Sequence, residues 1–341
     1  MNPFAKSPRK KVRVALICGG PSSEREVSLK SGDQIAKALD RKRYDVSLVE
    51  IAKDGRWFLS PRSRRGGAPS KALTVFPKDK ALERNDLRNI DVAFLALHGY
   101  FGEDGKIQSI LELLGIPYTG SGVMASAIAM NKAKTAELAA LGGLKIPDFD
   151  LTIETGAGSR VGYPCIVKPN ESGSSVGTSL VEKDKKLKPA IEKALSESKE
   201  AVIQKYIRGR ELTCGVMGNT GRTGLIALPP IEIVSSSKFF DYQAKYSSRE
   251  TREICPAPVA ARVARALQES SKKIHALLGC DGLTRSDFIL DKKGALWFLE
   301  INTIPGMTEA SLAPKAARAF GWSFPEFLDK IIELALEKGS R

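Results

Sequence analysis

Four polar residues near the carboxyl end of the chain have the types and spacing of a cation-binding surface. They are Arg285, Asp287, Glu300 and Asn302. They lie in two apolar runs on either side of the turn 291–294, a pattern that predicts a β-hairpin. If Leu290 pairs with Ala295, all four side chains share one face, because cross-strand partners share a face and side chains alternate along a strand. Two carboxylates and an amide oxygen suit Mg²⁺, whereas a solvated strand face with mixed charges shows the same alternation, so both interpretations stay open here.

The segment after the second strand favours the cation-binding interpretation. Pro305 and Gly306 come shortly after the end of that strand. This dipeptide predicts a tight turn that exposes backbone amides beside the expected ion.

Composition limits the classes of protein to consider. The chain has 341 residues, of which 42% are hydrophobic and 27% charged, as expected for a globular protein of two or three domains. Its formal net charge of +14 predicts attraction to anions such as nucleotides, although a bias toward solubility gives the same charge. The basic runs 62–65 and 183–188 carry no interleaved aromatic residues, so we expect no nucleic-acid partner.

Cysteine and histidine usage excludes further classes. The five cysteines are widely spaced without a Cys-x-x-Cys pair, which argues against a zinc site or a disulfide framework and indicates a reducing cytoplasm. Only His98 and His275 are present, which excludes most zinc hydrolases and histidine-dependent triads. The chain shows neither a signal-peptide core nor an apolar run of about 18 residues, so we expect a cytoplasmic protein without a membrane partner.

The amino-terminal part of the chain has an α/β pattern. Strands are predicted at 12–18, 45–51 and 92–97, and Ser23 with Glu26 forms a capping-box signal for a helix that ends near 39. Ligands bind beyond the carboxyl ends of strands in open α/β sheets, so Glu24 and His98 are candidate substrate-facing residues. The alternative interpretation is structural: Glu24 would be an acid at the start of a helix, and His98 would be a turn residue.

Two glycine-rich segments follow. Residues 120–125 contain a Gly-x-Gly-x-x-Ala pattern, but it lacks a strand before it and an acid after it, so we interpret it as a boundary turn before one long helix, 124–141, that carries Lys132. Further on, Lys168 ends a predicted strand and is followed by the Gly/Ser run 171–177, here called the flap. Its amides and hydroxyls could wrap phosphate oxygens, although a flexible linker has the same composition.

Other elements complete the sequence-based description. We predict helices at 107–114 and 185–198, strands at 163–169, 178–181, 201–207 and 212–217, and a flexible surface loop at 61–71. An adenine ring could lie between the strands 201–207 and 212–217. The segment 235–250 begins with serines and continues with aromatic residues and lysines, which predicts a mobile loop that closes over the ligands.

Taken together, five segments in order resemble one known family. The segments 19–28, 98–105, 168–177, 241–246 and 300–307 look like those of the D-alanine–D-alanine ligases of the ATP-grasp superfamily. The resemblance implies an α/β fold of the ATP-grasp (α+β) type with three domains. They are an amino-terminal parallel-sheet α/β substrate domain at 1–120, a central lid domain at 121–208 and a carboxyl-terminal catalytic domain at 209–341. ATP is expected between the last two.

The resemblance also assigns residues to ATP and metal. The implied ATP-binding residues are Lys132, Lys168, Ser175, Gln204, Lys205, Ile207, Glu211, Phe239 and Lys245. Gln204 stands where similar ligases usually have Glu, and its amide oxygen can still accept a hydrogen bond from adenine. The implied ligands of Mg²⁺ or Mn²⁺ are Asp287, Glu300 and Asn302.

For the reaction, the resemblance implies that ATP phosphorylates a first D-alanine and that the amine of a second D-alanine attacks the acyl phosphate. The implied catalytic residues are Glu24, Ser174, Tyr246, Arg285 and Gly306. The implied substrate-binding residues are Glu24, His98, Ser311 and Leu312. The product would enter peptidoglycan precursor synthesis, and the protein would be a homodimer.

Three alternatives remain at the sequence level. A D-alanine–D-lactate or D-alanine–D-serine ligase is the nearest, and Lys245-Tyr246 argues against the lactate type. The glycine pattern at 120–125 leaves a dinucleotide-dependent oxidoreductase as a remote alternative. A non-catalytic nucleotide sensor is disfavoured because the phosphate, metal and oxyanion positions all carry competent residues.

Overall fold

The structure is a computed structural model that describes residues 11–60, 71–73, 89–173, 176–222, 224–235 and 251–339. Three β-sheets with packed helices make up this part of the chain. The strands are β1 Val12–Gly19, β2 Tyr44–Ile51, β3 Trp57–Ser60, β4 Lys71–Leu73, β5 Val92–Leu95, β6 Phe149–Thr152, β7 Cys165–Pro169, β8 Ser179–Val181, β9 Ala201–Lys205, β10 Gly209–Met217, β11 Ile226–Ala227, β12 Ile231–Ser235, β13 Thr251–Ile254, β14 Leu283–Asp291 and β15 Leu296–Asn302.

The helices are shorter than some of the predicted ones. They are α1 Arg25–Ala38, α2 Lys106–Leu113, α3 Val123–Met130, α4 Lys132–Leu141, α5 Leu187–Leu195, α6 Ala261–Leu277, α7 Leu312–Phe320 and α8 Phe324–Gly339. A 3₁₀ turn at Asp184–Lys186 precedes α5, which begins later and ends earlier than the predicted helix 185–198. Within the described ranges, no helix is both long and apolar enough to cross a membrane.

The first sheet has the order β4-β3-β2-β1-β5. Strand β1 runs parallel to both β2 and β5, which confirms the predicted parallel arrangement. All residues of β5 are buried, because apolar layers cover both faces of the sheet. The antiparallel strands β3 and β4 extend one edge and were not predicted. Of the predicted loop 61–71, only Lys71 is described, and it begins β4.

The second and third sheets are antiparallel. The second has the order β6-β9-β7-β8, with α5 packed on it through Ile191. The third has the order β13-β12-β10-β14-β15, and α3, α4 and α6 pack on it. Each sheet falls within one of the segments 1–120, 121–208 and 209–341, and we propose these segments as the three domains. Helices α3 and α4 precede the second sheet in sequence but pack on the third.

The last helix, α8, packs against the first sheet. Phe327, Leu328 and Ile331 of α8 lie in the same apolar core as Val14 and Phe94 of the first sheet. Because this core also contains residues of the third sheet, the first and third sheets are fixed against each other.

Two predictions about helix starts were wrong. The predicted helix 124–141 is broken at Asn131, which has an extended backbone and whose side-chain oxygen accepts from the Lys134 amide at 3.0 Å. Asparagine favours such caps over helix interiors, because its side chain competes for backbone donors. The predicted Ser23–Glu26 capping box is also absent. Glu24 occupies the cap position of α1 without a side-chain capping bond.

The break places Lys132 beside the flap. The Lys132 amide donates to the Asn170 carbonyl at 3.1 Å, and the Ala133 amide donates to the Asn170 side chain at 2.9 Å. Asn131 itself donates to Glu171 at 2.9 Å. The first turn of α4 is therefore attached to the end of β7, where the flap begins.

Replacing the cap should destabilise this junction. We expect Asn131→Ala to lower the free energy of unfolding by about 0.5–2 kcal/mol, because the Lys134 amide loses its acceptor. Asn131→Ser keeps a capping oxygen but loses the bond to Glu171, and we expect it to retain most of the stability. Urea unfolding monitored by circular dichroism measures both. Equal stability of Asn131→Ala and the unsubstituted protein would show that the cap is unimportant.

Candidate active site

A cavity of about 540 Å³ opens between the carboxyl end of the first sheet, the flap and the third sheet. Apart from the residues predicted to bind adenine, most of the predicted site residues line this cavity. The predicted site residues that line it are Glu24, His98, Glu211, Arg285, Asp287, Glu300, Asn302, Gly306, Ser311 and Leu312. Glu24 and Leu312, the first and last of these residues, are separated by most of the chain. Only the fold brings them together.

The β14–β15 hairpin places the four polar residues on one face, but by a different register from the predicted one. Leu290 pairs with Leu296 instead of Ala295, because the Asp291 side chain accepts from the Lys293 and Ala295 amides and enlarges the turn by one residue. That shift alone would place Leu299 opposite Asp287 and turn Glu300 to the other face.

A β-bulge corrects the shift. The register changes between Phe288 and Asp287, so that Asp287 stands opposite Glu300 and Arg285 opposite Asn302. One extra residue in β15, Leu299, is left without a cross-strand partner. The predicted grouping is therefore confirmed, whereas the predicted turn length is wrong.

Arg285 and Asp287 form a buried bidentate ion pair. The Arg285 Nε and Nη2 atoms donate to the two Asp287 oxygens at 3.0 and 2.9 Å. Thr213 donates to Asp287 Oδ1 at 2.5 Å. Burial alone would lower the pKa of Arg285, but Asp287, with smaller contributions from Glu300 and Glu103, raises it above its ordinary value. Arg285 is therefore a fixed cation in the cavity wall.

The donor set on this face fits a hard divalent cation. Asp287 and Glu300 are cross-strand partners, and Asn302 Nδ2 lies 3.4 Å from Asp287 Oδ2. Across the described part of the chain, no three His, Cys, Asp or Glu side chains cluster as a complete metal cage. Two carboxylates and one amide oxygen suit Mg²⁺, which usually takes its other ligands from water and from substrate phosphates.

Two lysines lie beside these acids. Burial lowers the pKa of Lys168 to about 8, although Glu300 and Asp287 act in the opposite direction. Lys132 Nζ donates to the Ser172 carbonyl at 2.5 Å, and it lines a small adjoining cavity together with Glu300 and Asn302. Lys168 is close enough to Lys132 and to both acids for their charges to change its pKa, so a ligand that carries several negative charges would meet both lysines next to the acidic face.

The flap approaches the first sheet closely at Gly173. A Cβ atom there would lie 2.6 Å from Glu24 Oε2 and 2.7 Å from Gly99 Cα, so no side chain fits. Glycine is therefore needed because two backbones meet directly over Glu24.

Glu24 and His98 both line the cavity, as the sheet geometry suggested. Glu24 is 7% exposed. The two ring nitrogens of His98 lie 3.1 Å from the Ile304 carbonyl oxygen and 3.3 Å from Ser31 Oγ. His98 thus also connects β5 to the segment that follows β15.

The start of α7 forms another part of the cavity wall. Ser311 is the residue before the helix, and its Oγ accepts from the Thr308 amide at 3.1 Å. The first amides of a helix point outward without intrahelical partners and favour anions. Ser311 and Leu312 are therefore placed where a carboxylate could bind.

Glu103 is a cavity residue that the sequence reasoning did not single out. It is 7% exposed, and its two oxygens accept from the Gly99 and Ile304 amides at 2.8 and 3.0 Å. Burial, with a further contribution from Glu24, raises the pKa of Glu103 to about 7. The only sequence signal was its position in the glycine-rich segment 98–105.

The residues predicted to hold adenine lie along the end of β9. Gln204 is buried, Lys205 is exposed and ends the strand, and Ile207 is half-buried in the link to β10. None of the three is among the residues that line the described cavity.

Several other predictions fall outside the described residues or away from the cavity. Ser174, Ser175, Phe239, Lys245 and Tyr246, and nearly all of the predicted loop 235–250, lie outside the described residues. The second histidine, His275, is buried against Thr284 and Gly218, and burial lowers its pKa to about 4, as expected for a neutral core residue. The glycine pattern at 120–125 lies against the residue before β14: a Cβ atom on Gly282 would lie 2.9 Å from the Gly120 amide nitrogen.

Two family models match most of the chain. The one described as D-ala D-ala ligase N-terminus matches residues 13–121, and the one described as D-ala D-ala ligase C-terminus matches residues 149–333. A curated relative, the D-alanine--D-alanine ligase of Syntrophobacter fumaroxidans, is 42% identical over 340 residues, which cover 96% of this chain and 98% of that protein.

Solved structures share the same architecture. The VanG D-Ala:D-Ser ligase from Enterococcus faecalis matches with a TM-score of 0.81 at 31% identity, over 96% of this chain and 100% of that one. The D-alanine--D-alanine ligase from Bacillus anthracis complexed with ATP matches with a TM-score of 0.75 at 32% identity, over 97% and 99%. The ATP-grasp fold predicted from the sequence is confirmed, and this chain belongs to the D-alanine–D-alanine ligase family of ADP-forming ligases.

Proposed function

We propose that this protein joins two D-alanine molecules into D-alanyl-D-alanine, with conversion of ATP to ADP and phosphate. One observation carries the proposal. A single cavity contains a candidate ammonium site at Glu24, a metal-binding face at Asp287 and Glu300, a fixed arginine, and a helix start for a carboxylate. The relationship to named D-alanine–D-alanine ligases supports the same substrates.

The nucleotide would lie between the second and third sheets. Lys132 and Lys168 would bind its phosphates, and Glu211 would accept hydrogen bonds from the ribose hydroxyls. Gln204 would accept from the adenine amino group through its amide oxygen. A solved relative complexed with ATP supports ATP as the nucleotide.

Asp287, Glu300 and Asn302 would hold Mg²⁺ or Mn²⁺. A bound ion would neutralise charge on the phosphoryl group during its transfer. Asp287 Oδ1 accepts from both Arg285 and Thr213, so a metal would be bound through Oδ2, which accepts from Arg285 and lies 3.4 Å from Asn302 Nδ2.

In the first step, a carboxylate oxygen of the first D-alanine attacks the γ-phosphorus of ATP, and ADP leaves. Glu24 would bind the ammonium group of this substrate and so orient its carboxylate toward the phosphate. In the second step, the amine of the second D-alanine, after loss of a proton, attacks the acyl carbon, and phosphate leaves with its bonding electrons. Ser311 and Leu312 would bind the carboxylate of the second substrate.

The oxyanion formed in the second step needs donors that are already in place. Arg285 is oriented by Asp287 through Nε and Nη2, so its remaining N–H groups can face the oxyanion. The Gly306 amide would be the second donor.

The identity of the second substrate is the point on which close relatives differ. The D-Ala:D-Ser ligase similar to this chain makes D-serine the main competitor of D-alanine. Phosphate release with ATP and each of D-alanine, D-serine and D-lactate, singly and in pairs, tests the proposal. Release that requires D-alanine and yields its dipeptide is expected, and no dipeptide from any pair would refute it. We also propose that the protein acts in the cytoplasm as a homodimer, as the resemblance implies.

The metal assignment predicts a large effect at Glu300. We expect Glu300→Gln to lower kcat by about 100-fold or more and to weaken the dependence of the rate on Mg²⁺, because a main electrostatic stabiliser is lost. Glu253→Gln is a matched control, since Glu253 lines the same cavity but pairs with Lys315. Steady-state rates across a Mg²⁺ titration measure both. Turnover of Glu300→Gln near the unsubstituted rate would remove Glu300 from the set of ligands.

The oxyanion assignment predicts that shape matters more than charge at Arg285. Lysine keeps the charge but loses the planar fork, so Arg285→Lys should lower kcat by about 100-fold while changing Tm little. Arg210→Lys is the control, because Arg210 makes an equivalent fork with Glu232 at 2.7 Å on the same sheet, outside the cavity lining. The opposite ranking, a large loss of Tm with a retained rate, would make Arg285 a structural residue.

The lowered pKa of Lys168 predicts a pH dependence of nucleotide binding. Without ligand, Lys168 loses its proton as pH rises through about 8. We expect the affinity for a non-hydrolysable ATP analogue to be constant below that pH and to fall by up to about tenfold per unit above it. Calorimetric titration between about pH 7 and 9.5 measures this, and a constant affinity would contradict the assignment.

The same group gives a second, independent measurement. Between pH 8 and 10.5 the unfolded chain holds more protons on Lys168 than the folded protein does. The contribution of Lys168 to the free energy of unfolding without nucleotide should therefore rise with pH over this window. The difference between the unsubstituted protein and Lys168→Met isolates that contribution.

A further inference from the structure

Glu103 connects two backbone segments that are far apart in the sequence. Its Oε2 accepts from the Gly99 amide at 2.8 Å, and its Oε1 accepts from the Ile304 amide at 3.0 Å. The side chain is 7% exposed and lines the main cavity and the smaller one beside Lys132. Both oxygens are thus committed to backbone donors, which fixes the distance between the end of the first sheet and the segment after β15.

Ile304 is held on both of its peptide groups. Its amide donates to Glu103, and its carbonyl oxygen lies 3.1 Å from Nδ1 of His98. Its side chain is buried in the core of the first sheet. Two residues later comes Gly306, after Pro305, whose ring fixes φ. The direction of the Gly306 N–H group therefore depends on how Ile304 is held and on the ψ angle of Pro305.

We propose that Glu103 is a positioning residue that sets the place of the Gly306 amide for the oxyanion of the second step. The inference rests on the proposed function, which assigns that amide to the oxyanion. A shift of about 1 Å in a catalytic group can cost about 100-fold in rate. If Glu103 loses one of its two acceptor oxygens, either the Ile304 amide or the Gly99 amide loses its hydrogen-bond partner.

The proposed role of Glu103 affects the second step of the reaction and not the first. Formation of the acyl phosphate would depend on the lysines, on the acids of the hairpin and on Glu24. The hydrogen bonds of the Glu103 side chain go to Gly99 and Ile304 and to none of these groups, although its carboxylate interacts electrostatically with Glu24. Formation of the dipeptide depends on the oxyanion donors. A misplaced Gly306 amide should therefore slow the second step while the first continues, so that water or another nucleophile takes the acyl phosphate.

The experiment compares Glu103→Gln and Glu103→Asp with the unsubstituted protein. Glutamine keeps the length but has one acceptor oxygen, and aspartate keeps the charge but is too short to reach both amides. With ATP and D-alanine, we expect both variants to form dipeptide about 100-fold more slowly and to release several phosphates per dipeptide. Added hydroxylamine should trap the acyl phosphate as a hydroxamate, with displacement of phosphate by nitrogen.

Asp104→Asn is the matched control. Asp104 lies in the same loop and accepts from the Phe101 and Lys106 amides at 2.9 and 3.2 Å, but it is not among the residues that line the cavity. We expect it to keep one phosphate per dipeptide even if its Tm falls. Hydroxamate formation by the Glu103 variants also serves as the test that they are folded.

The outcomes are distinct. A ratio of one in both Glu103 variants would overturn the inference, as would a normal ratio in Glu103→Asp alone, because charge and not position would then matter. Loss of hydroxamate and dipeptide together, with an unchanged Tm, would also overturn it, since the first step would then need Glu103. Absence of dipeptide with the unsubstituted protein and with Asp104→Asn would refute the proposed function itself.

Discussion

The site depends on the neutralisation of buried charge on the third sheet. Arg285 and Asp287 are both largely removed from water, and either one alone would be costly to bury, whereas the bidentate pair satisfies both. Asp287 also accepts from Thr213 of the neighbouring strand, so the pair is fixed to the centre of the sheet. Because Asp287 orients Arg285 on one side and stands opposite Glu300 on the other, one carboxylate links the proposed oxyanion donor to the proposed metal-binding face. The lysines then lie where the remaining acidic charge favours them, as the effect of Glu300 on Lys168 indicates.

A catalytic cavity of this kind also needs walls that come from elsewhere in the chain. The first sheet supplies Glu24 and His98 at its carboxyl end, and the long core shared with α8 holds this sheet against the third. The flap closes the remaining side at Gly173, where the contact with Gly99 leaves no room for a Cβ atom. An acyl phosphate is destroyed by water, so close contact of three segments around it is a chemical requirement as well as a structural one.

The sequence predicted the elements better than their junctions. Strong alternation gave the hairpin and the grouping of its polar residues, and a continuous apolar run gave the buried strand β5. It did not give the hairpin register, because the Asp291 side chain enlarges the turn and a bulge at Leu299 then compensates, and neither feature has a periodic signal. The break at Asn131 was visible in principle, since asparagine inside an apolar helical run is a capping signal. Glu103 could not be found from the sequence, because its role depends on an amide 201 residues away.

Those junctions share a physical cause, and it explains why they coincide with the site. Regular strands satisfy their own backbone groups, so a side chain that binds backbone amides marks a place where the regular pattern ends. Asn170 does this at the start of α4, Glu103 at the tail of β15, and Asp291 at the hairpin turn. The first two hold Lys132, the flap and Gly306, which lie on different elements and whose relative positions would have to be accurate to about 0.5 Å for the proposed catalysis. Such side-chain-to-backbone bonds can provide that accuracy because each one fixes a single peptide group without requiring the sheets themselves to change.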